Sequence, residues 1–285
     1  MGTPVGAENF PEITAPDPTA TEDARERLAS PDALGRLAEV AVWVAACQGS
    51  CPPRPITDPT LVVFGADDLA PSTTALAARA AAAIRTENPA ASPDDGPVER
   101  ARASVAYGRT VADSLVDGGA DLLIAGDPVP DDPAAAVVIG TIAVKEPVEV
   151  VGTGGVDAAE WIARTTAVRD GMWRARGSTG LELLAVADSA GLAATAGFLA
   201  QAAVRRTPVV LDGTGATAAA LVADGLAPGA GEWWLAGHVG ADPAHAIALT
   251  RLGLTPLLDL GMASGGALAA VPLVAAATEI LATGG

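Results

Sequence analysis

Six short apolar runs, each closing on or beside Gly or Asp and each followed by a helical segment, constrain this chain more than any other feature. They are LVVF (61–64), DLLIAG (121–126), VEVVG (148–152), PVVLDG (208–213), EWWLAG (232–237) and TPLLDL (255–260). The helical segments fall at 72–85, after Pro133, at 156–175, 214–225 and 242–252, and from about 265 to the end. Repeated βα units imply a parallel sheet covered by helices on both faces, because a helical crossover is what joins parallel neighbours. A helix is expected from Pro31 to about Gln48, stopped by CPPRP, and 86–97 reads as a loop.

The chain has 285 residues, half of them hydrophobic but only 3% aromatic, so Ala, Val, Leu and Gly must fill the core and elements must approach closely. Its formal charge of −17 disfavours nucleic acid and anionic membranes as partners. Cys47 and Cys51 are spaced i,i+4, and His238 and His245 are the only histidines; no four-ligand zinc spacing results, so no metal and no cofactor are expected. Residues 1–18 lack a basic n-region and an apolar core, and the apolar run near 265–278 contains Pro272 and is short for a bilayer span. The expectation is a cytoplasmic protein with a flexible arm over 1–20.

In folds of this kind ligands sit at the carboxyl ends of the strands. The residues expected there are Asp67, Asp127, Asp212, His238 and Asp259, with tight turns at Gly152-Thr153-Gly154 and Gly213-Thr214-Gly215. A Gly-rich turn can offer amide N–H groups to an anion, or serve only close strand-to-helix packing. Asp212 and Asp259 read equally as helix caps or loop clamps, or as ligand-facing carboxylates.

Long collinear stretches carry a resemblance. They include PDALGRLAEVAVWVAACQGSCPPRP (31–55), GADLLIAGD (119–127), WIARTTAVRD (161–170), AGFLAQAAVRRTPVVLDG (196–213), TAAALVADGLAPGAGEWWLAGH (217–238) and DPAHAIALTRLGLTPLLDL (242–260). With them the chain resembles the nicotinate-nucleotide–dimethylbenzimidazole phosphoribosyltransferase family of cobalamin lower-ligand synthesis, in its actinobacterial form. The resemblance implies a Rossmann-like sheet (56–285), a small helical domain built from 21–55 and the C-terminal helix, and a homodimer. It also implies transfer of phosphoribose from nicotinate mononucleotide to a benzimidazole nitrogen, with a Glu as base.

The loops that should carry this chemistry are rewritten. Where the family has its catalytic Glu, the chain reads Gly261-Met262-Ala263-Ser264-Gly265-Gly266-Ala267. The phosphate loop becomes Gly126-Asp127-Pro128-Val129-Pro130-Asp131-Asp132-Pro133: three prolines lack N–H donors, and each added carboxylate opposes a phosphate by about 4 kcal/mol at 4 Å and an effective dielectric near 20. Asp67 is kept beside a lost His, and the base-holding stretch shrinks to about Pro71. A block of several dozen residues before Val98 is absent. Arg164 aligns with the family's phosphate-side Lys, and Gly152, Thr153, Gly154, Gly213 and His238 complete the nucleotide-binding candidates.

Two readings follow. The chain is a non-catalytic or strongly impaired paralogue, acting as a partner subunit beside itself or a full-length family member, or binding a small nucleotide or benzimidazole. The alternative is an active phosphoribosyltransferase with a rebuilt site, using Asp127, Asp212 or Asp259 as base. A dinucleotide-binding oxidoreductase is excluded by the lack of a G-x-G-x-x-G with an acidic residue downstream.

Overall fold

A computed structural model describes residues 10–66, 68–90, 92, 94–127, 132–152, 156–263 and 265–284. In chain order the elements are α1 (Pro18–Arg27), α2 (Pro31–Leu34), α3 (Arg36–Gln48), β1 (Pro59–Phe64), α4 (Pro71–Arg79), β2 (Ala83–Glu87), α5 (Pro97–Asp117), β3 (Leu122–Gly126), α6 (Pro133–Ala143), α7 (Pro147–Val151), α8 (Ala158–Arg174), α9 (Gly180–Ala187), α10 (Ala190–Val204), β4 (Val209–Leu211), α11 (Gly213–Leu226), β5 (Trp234–Ala236), β6 (His238–Val239), α12 (Pro243–Leu252), β7 (Leu258–Asp259) and α13 (Gly266–Thr283).

The expected α/β architecture is present. β1 to β5 form one parallel sheet in the order β2-β1-β3-β4-β5, the second of the two common doubly wound orders. β6 continues β5 past Gly237 and pairs with β7, so β7 acts as a short sixth strand. Leu257 N–H donating to Ala236 O at 2.9 Å joins the two ladders. Leu61, Val63, Leu122, Ile124, Val210 and Leu235 face one layer of helices; Val62, Phe64, Leu123, Ala125, Val209 and Leu211 face the other. Burial on both faces is why these strands read as unbroken apolar runs.

α5, α6 and α9 to α12 cover one face; α1, α3, α4 and α13 cover the other. The small-residue core permits close crossings. A Cβ on Gly108 of α5 would lie 1.9 Å from Ala194 O of α10, and one on Gly197 of α10 would lie 2.1 Å from Val105 O of α5. The N-terminal helices meet α13: α13 packs on α3, and the Arg27 guanidinium donates to the carbonyls of Leu281 and Ala282.

Several local expectations change. VEVVG is not a strand but α7, because Pro147 opens a helical turn and Glu149 reaches back to accept the Glu146 N–H at 3.0 Å. The helix expected over 72–85 stops at Arg79, where Ala81 turns left-handed (φ 50°), and the chain re-enters the sheet as edge strand β2. Residues 10–20 are held down rather than loose. Trp233 Nε1 donates to Thr14 O at 3.0 Å, Asp17 N–H donates to Ala46 O at 2.9 Å, and Asp17 caps α1 through Ala20 N at 2.8 Å. Cys51 lies beyond the end of α3, so the two thiols share no helix face; both are free, and burial pushes Cys47 well up. α13, at 18 residues with mean hydropathy 1.7, has the length and composition to span a bilayer, and half of it is buried in the core.

Candidate functional site

The carboxyl tips of β3 and β4 hold two knots of polar side chains, and most sequence candidates fall into one or the other. Asp127 follows β3 directly. Its Oδ2 accepts the Gly215 N–H at 2.6 Å, in the first turn of α11. The carboxylate lies so close over the Gly213-Thr214-Gly215 turn that a Cβ on Gly213 would sit 2.8 Å from Asp127, and one on Gly215 would sit 2.7 Å from its Oδ1. Gly213 has φ 81°, a left-handed conformation suited to glycine. The turn that could present amides to an incoming anion thus presents one to the chain's own carboxylate. A helix N-terminus favours negative charge from either source.

The same turn is tied to α12. Thr214 Oγ1 donates to Asp242 Oδ2 at 2.8 Å, while Asp242 Oδ1 caps α12 through Ala244 N at 3.0 Å. Pro243 then packs against Gly152, where a Cβ would lie 2.6 Å from Pro243 Cγ. Arg164, expected on the phosphate side, opens on a cavity of only about 30 Å³ shared with Asp132, Asp242, Val150 and Val151. That is room for one or two waters. Asp132 caps α6 through Ala134 N at 2.9 Å, and burial raises its carboxyl above the ordinary range, with the cap hydrogen bond opposing.

The second knot is buried. Asp212, at the tip of β4, accepts the amides of Gly265 (2.8 Å) and Ala267 (3.1 Å) at the start of α13. His238 Nε2 lies 2.8 Å from Asp212 Oδ1, a contact in distance whose N–H direction is not aligned with that oxygen. The His238 ring rests on Gly266, where a Cβ would meet Cγ at 2.3 Å. His245 stacks edge-on against it at 5.1 Å between centroids, and its Nδ1 accepts the Gly240 N–H at 2.9 Å. Burial lowers the His245 pKa to about 4; His238 adds to the lowering and Asp212 opposes it.

Asp127, Gly213, Gly152 and Arg164 therefore converge, joined by Thr214, Asp242 and Pro243. Asp212 and His238 form a separate internal clamp, so of the two readings of Asp212 the geometry gives the loop clamp. Asp259 is exposed on β7, and Pro71 is exposed at the first turn of α4, outside both knots. Asp67, Thr153 and Gly154, together with 128–131 of the rewritten loop, lie outside the described residues. Sequence reasoning did not single out Asp242; the Asp-Pro pair opening a helical period is the cap signal that could have found it. The pairing of Asp127 with Gly215 spans 88 positions and had no local signal.

These residues suit a carboxylate-stapled surface better than an open acid–base site. A general base needs a carboxylate within reach of a bound proton donor. Asp127 is engaged by an amide, Asp212 is sealed under α13, and Asp259 faces solvent.

A family model described as Phosphoribosyltransferase matches residues 13–91 and 78–284. The chain is similar to the nicotinate-nucleotide–dimethylbenzimidazole phosphoribosyltransferase of Mycobacterium avium, 43% identical over 331 positions covering 96% of this chain and 95% of that protein. It is likewise similar to that of Corynebacterium efficiens, 40% identical over 330 positions and covering 97% and 90%. The matched span exceeds the chain's own 285 residues, so these relatives carry stretches with no counterpart here. Among solved structures it resembles CobT from Thermus thermophilus, with a TM-score of 0.81 and 30% identity over 93% of this chain and 96% of that one.

Proposed function

The chain belongs to the nicotinate-nucleotide–dimethylbenzimidazole phosphoribosyltransferase family, and we propose that it is a strongly impaired or non-catalytic member of it. In this reading it keeps the fold of cobalamin lower-ligand synthesis, works in the cytoplasm, and acts as a partner subunit, paired with itself or with a full-length relative, or as a ligand-binding protein. The observation that carries the reading is the Asp127 carboxylate seated on the Gly215 amide. An anionic tail approaching that turn meets the Asp127 carboxylate and finds the Gly215 amide already taken. Two further features support it. The small cavity at Arg164 is shared with Asp132 and Asp242, and no carboxylate occurs between Gly261 and Ala267.

Losing a general base alone costs a factor of about 10²–10⁴, so a measurable remnant is compatible with this reading. Losing the phosphate donors as well removes the binding that positions the reacting carbon. The test is transfer from nicotinate mononucleotide to dimethylbenzimidazole by the purified chain, alone and mixed with a full-length relative. Turnover by the chain alone at the rate of a full-length relative refutes the proposal. No turnover alone, with a stable mixed complex on gel filtration, supports the partner role.

A further inference from the structure

A cleft of about 540 Å³ opens at the opposite, amino end of the sheet, where the chain enters β1, β3, β4 and β5. Its volume lies within the usual range for small-molecule sites. Two carboxylates line it, and both are occupied. Asp17 Oδ1 takes the Ala20 amide, and Asp121 accepts from Thr57 N (2.6 Å), Thr57 Oγ1 (2.9 Å) and Asp58 N (2.9 Å). Near the end of α3 the Ala46 carbonyl accepts the N–H groups of Asp17 and Gly49, and the Ala45 carbonyl accepts that of Ser50.

Two arginines remain on the walls. Gln48 clamps the Arg54 backbone, its Oε1 accepting the Arg54 N–H at 2.7 Å and its Nε2 donating to Arg54 O at 3.0 Å. The Arg54 guanidinium forms no ion pair among the described residues. Arg206 closes α10 with φ 55°, a conformation that favours glycine and costs other residues stability. Its Nη2 donates to the Thr14 hydroxyl at 3.2 Å, and the residue lines the cleft. On a chain with 34 acidic and 17 basic residues, a concave site whose two arginines balance its two carboxylates is a locally neutral region of an acidic surface.

We infer that this cleft binds a small phosphate monoester, its phosphoryl group held by Arg54 and Arg206 and its organic part against Ala15, Pro55 and Pro208. Arginine suits this role because its planar fork matches phosphate oxygens. The inference is independent of the family chemistry at the other end of the sheet, since the two sites share no residue.

Calorimetry of the full chain at low salt tests it, with ribose 5-phosphate, inorganic phosphate and ribose as probes. The expected result is saturable millimolar or tighter binding of ribose 5-phosphate, weaker binding of phosphate, and none of ribose. Arg54→Gln and Arg206→Gly should each weaken the ester at least tenfold. Arg206→Gly should melt at or above the wild-type temperature, because glycine accepts φ 55° without strain, so weakened binding there is not misfolding. Absence of saturable binding, unchanged affinity in both variants, or phosphate binding tighter than the ester overturns the inference.

Discussion

Replacing Asp127 by Ala tests whether this side chain plugs an anion seat. The substitution removes a charge-assisted hydrogen bond to Gly215 N, made at 2.6 Å, and a negative charge over the first turn of α11. Hydrogen bonds to charged groups contribute about 1.5–3 kcal/mol, and Asp127 is half-buried, so water recovers part of the loss and about 1.5–2 kcal/mol is expected. For a chain of this size that lowers Tm by roughly 3–8 °C. The vacated amides should then take an anion from solution. Phosphate at a hundred times its Kd would contribute about 2.7 kcal/mol by linkage, more than offsetting the loss. The assay is thermal melting against phosphate concentration, run in an Arg206→Gly background so that the amino-end cleft contributes little. An unchanged Tm in Asp127→Ala, or equal phosphate stabilisation with and without Asp127, refutes the idea that the carboxylate occupies an anion seat.

Other perturbations follow from the same geometry. The folded pKa of His245, about 4, lies below its ordinary 6.5, so the unfolded chain binds the extra proton between those values. Its contribution is complete above pH 6.5 and is lost at up to about 1.4 kcal/mol per pH unit down to pH 4, about 3 kcal/mol in all; His245→Gln should flatten that part of the stability–pH curve in urea titrations. Gly266→Ala drives a Cβ to within 2.3 Å of the His238 ring, and Gly108→Ala drives one into the Ala194 carbonyl. Both should cost at least the upper end of the roughly 1–3 kcal/mol seen for overpacking, read from denaturant midpoints. Asp212→Ala leaves the amides of Gly265 and Ala267 buried without an acceptor and should cost about 3 kcal/mol or more; near-wild-type stability would show that water enters beneath α13.

The layers of this fold were legible because most strands are buried on both faces, which leaves runs such as LVVF and DLLIAG with no polar interruption. β2 was not, because an edge strand with exposed Arg85 and Thr86 carries no such run. VEVVG misled for a different reason: its alternating valines look extended, but Pro147 and the Glu149 cap decide the local backbone. At the site, the resemblance gave an expectation that the family's Glu and glycine-rich loop are replaced. What replaced them was not legible. Asp127 finds Gly215, and Asp212 finds Gly265, only after the sheet brings distant segments together. His245, weighed only as a metal ligand, turned out to be the buried neighbour of His238.

Asp212 also bears on the order in which the molecule can be made. It sits mid-sheet, yet its partners Gly265 and Ala267 begin α13, and that helix shares with α1, α3 and α4 the cover over Leu61, Val63, Leu122 and Ile124. A nascent polypeptide halted before residue 265 leaves part of that surface uncovered and the Asp212 carboxylate without its amides. Completion of that side of the protein therefore waits for α13 to be made, and deleting α13 should yield aggregates rather than a smaller soluble protein.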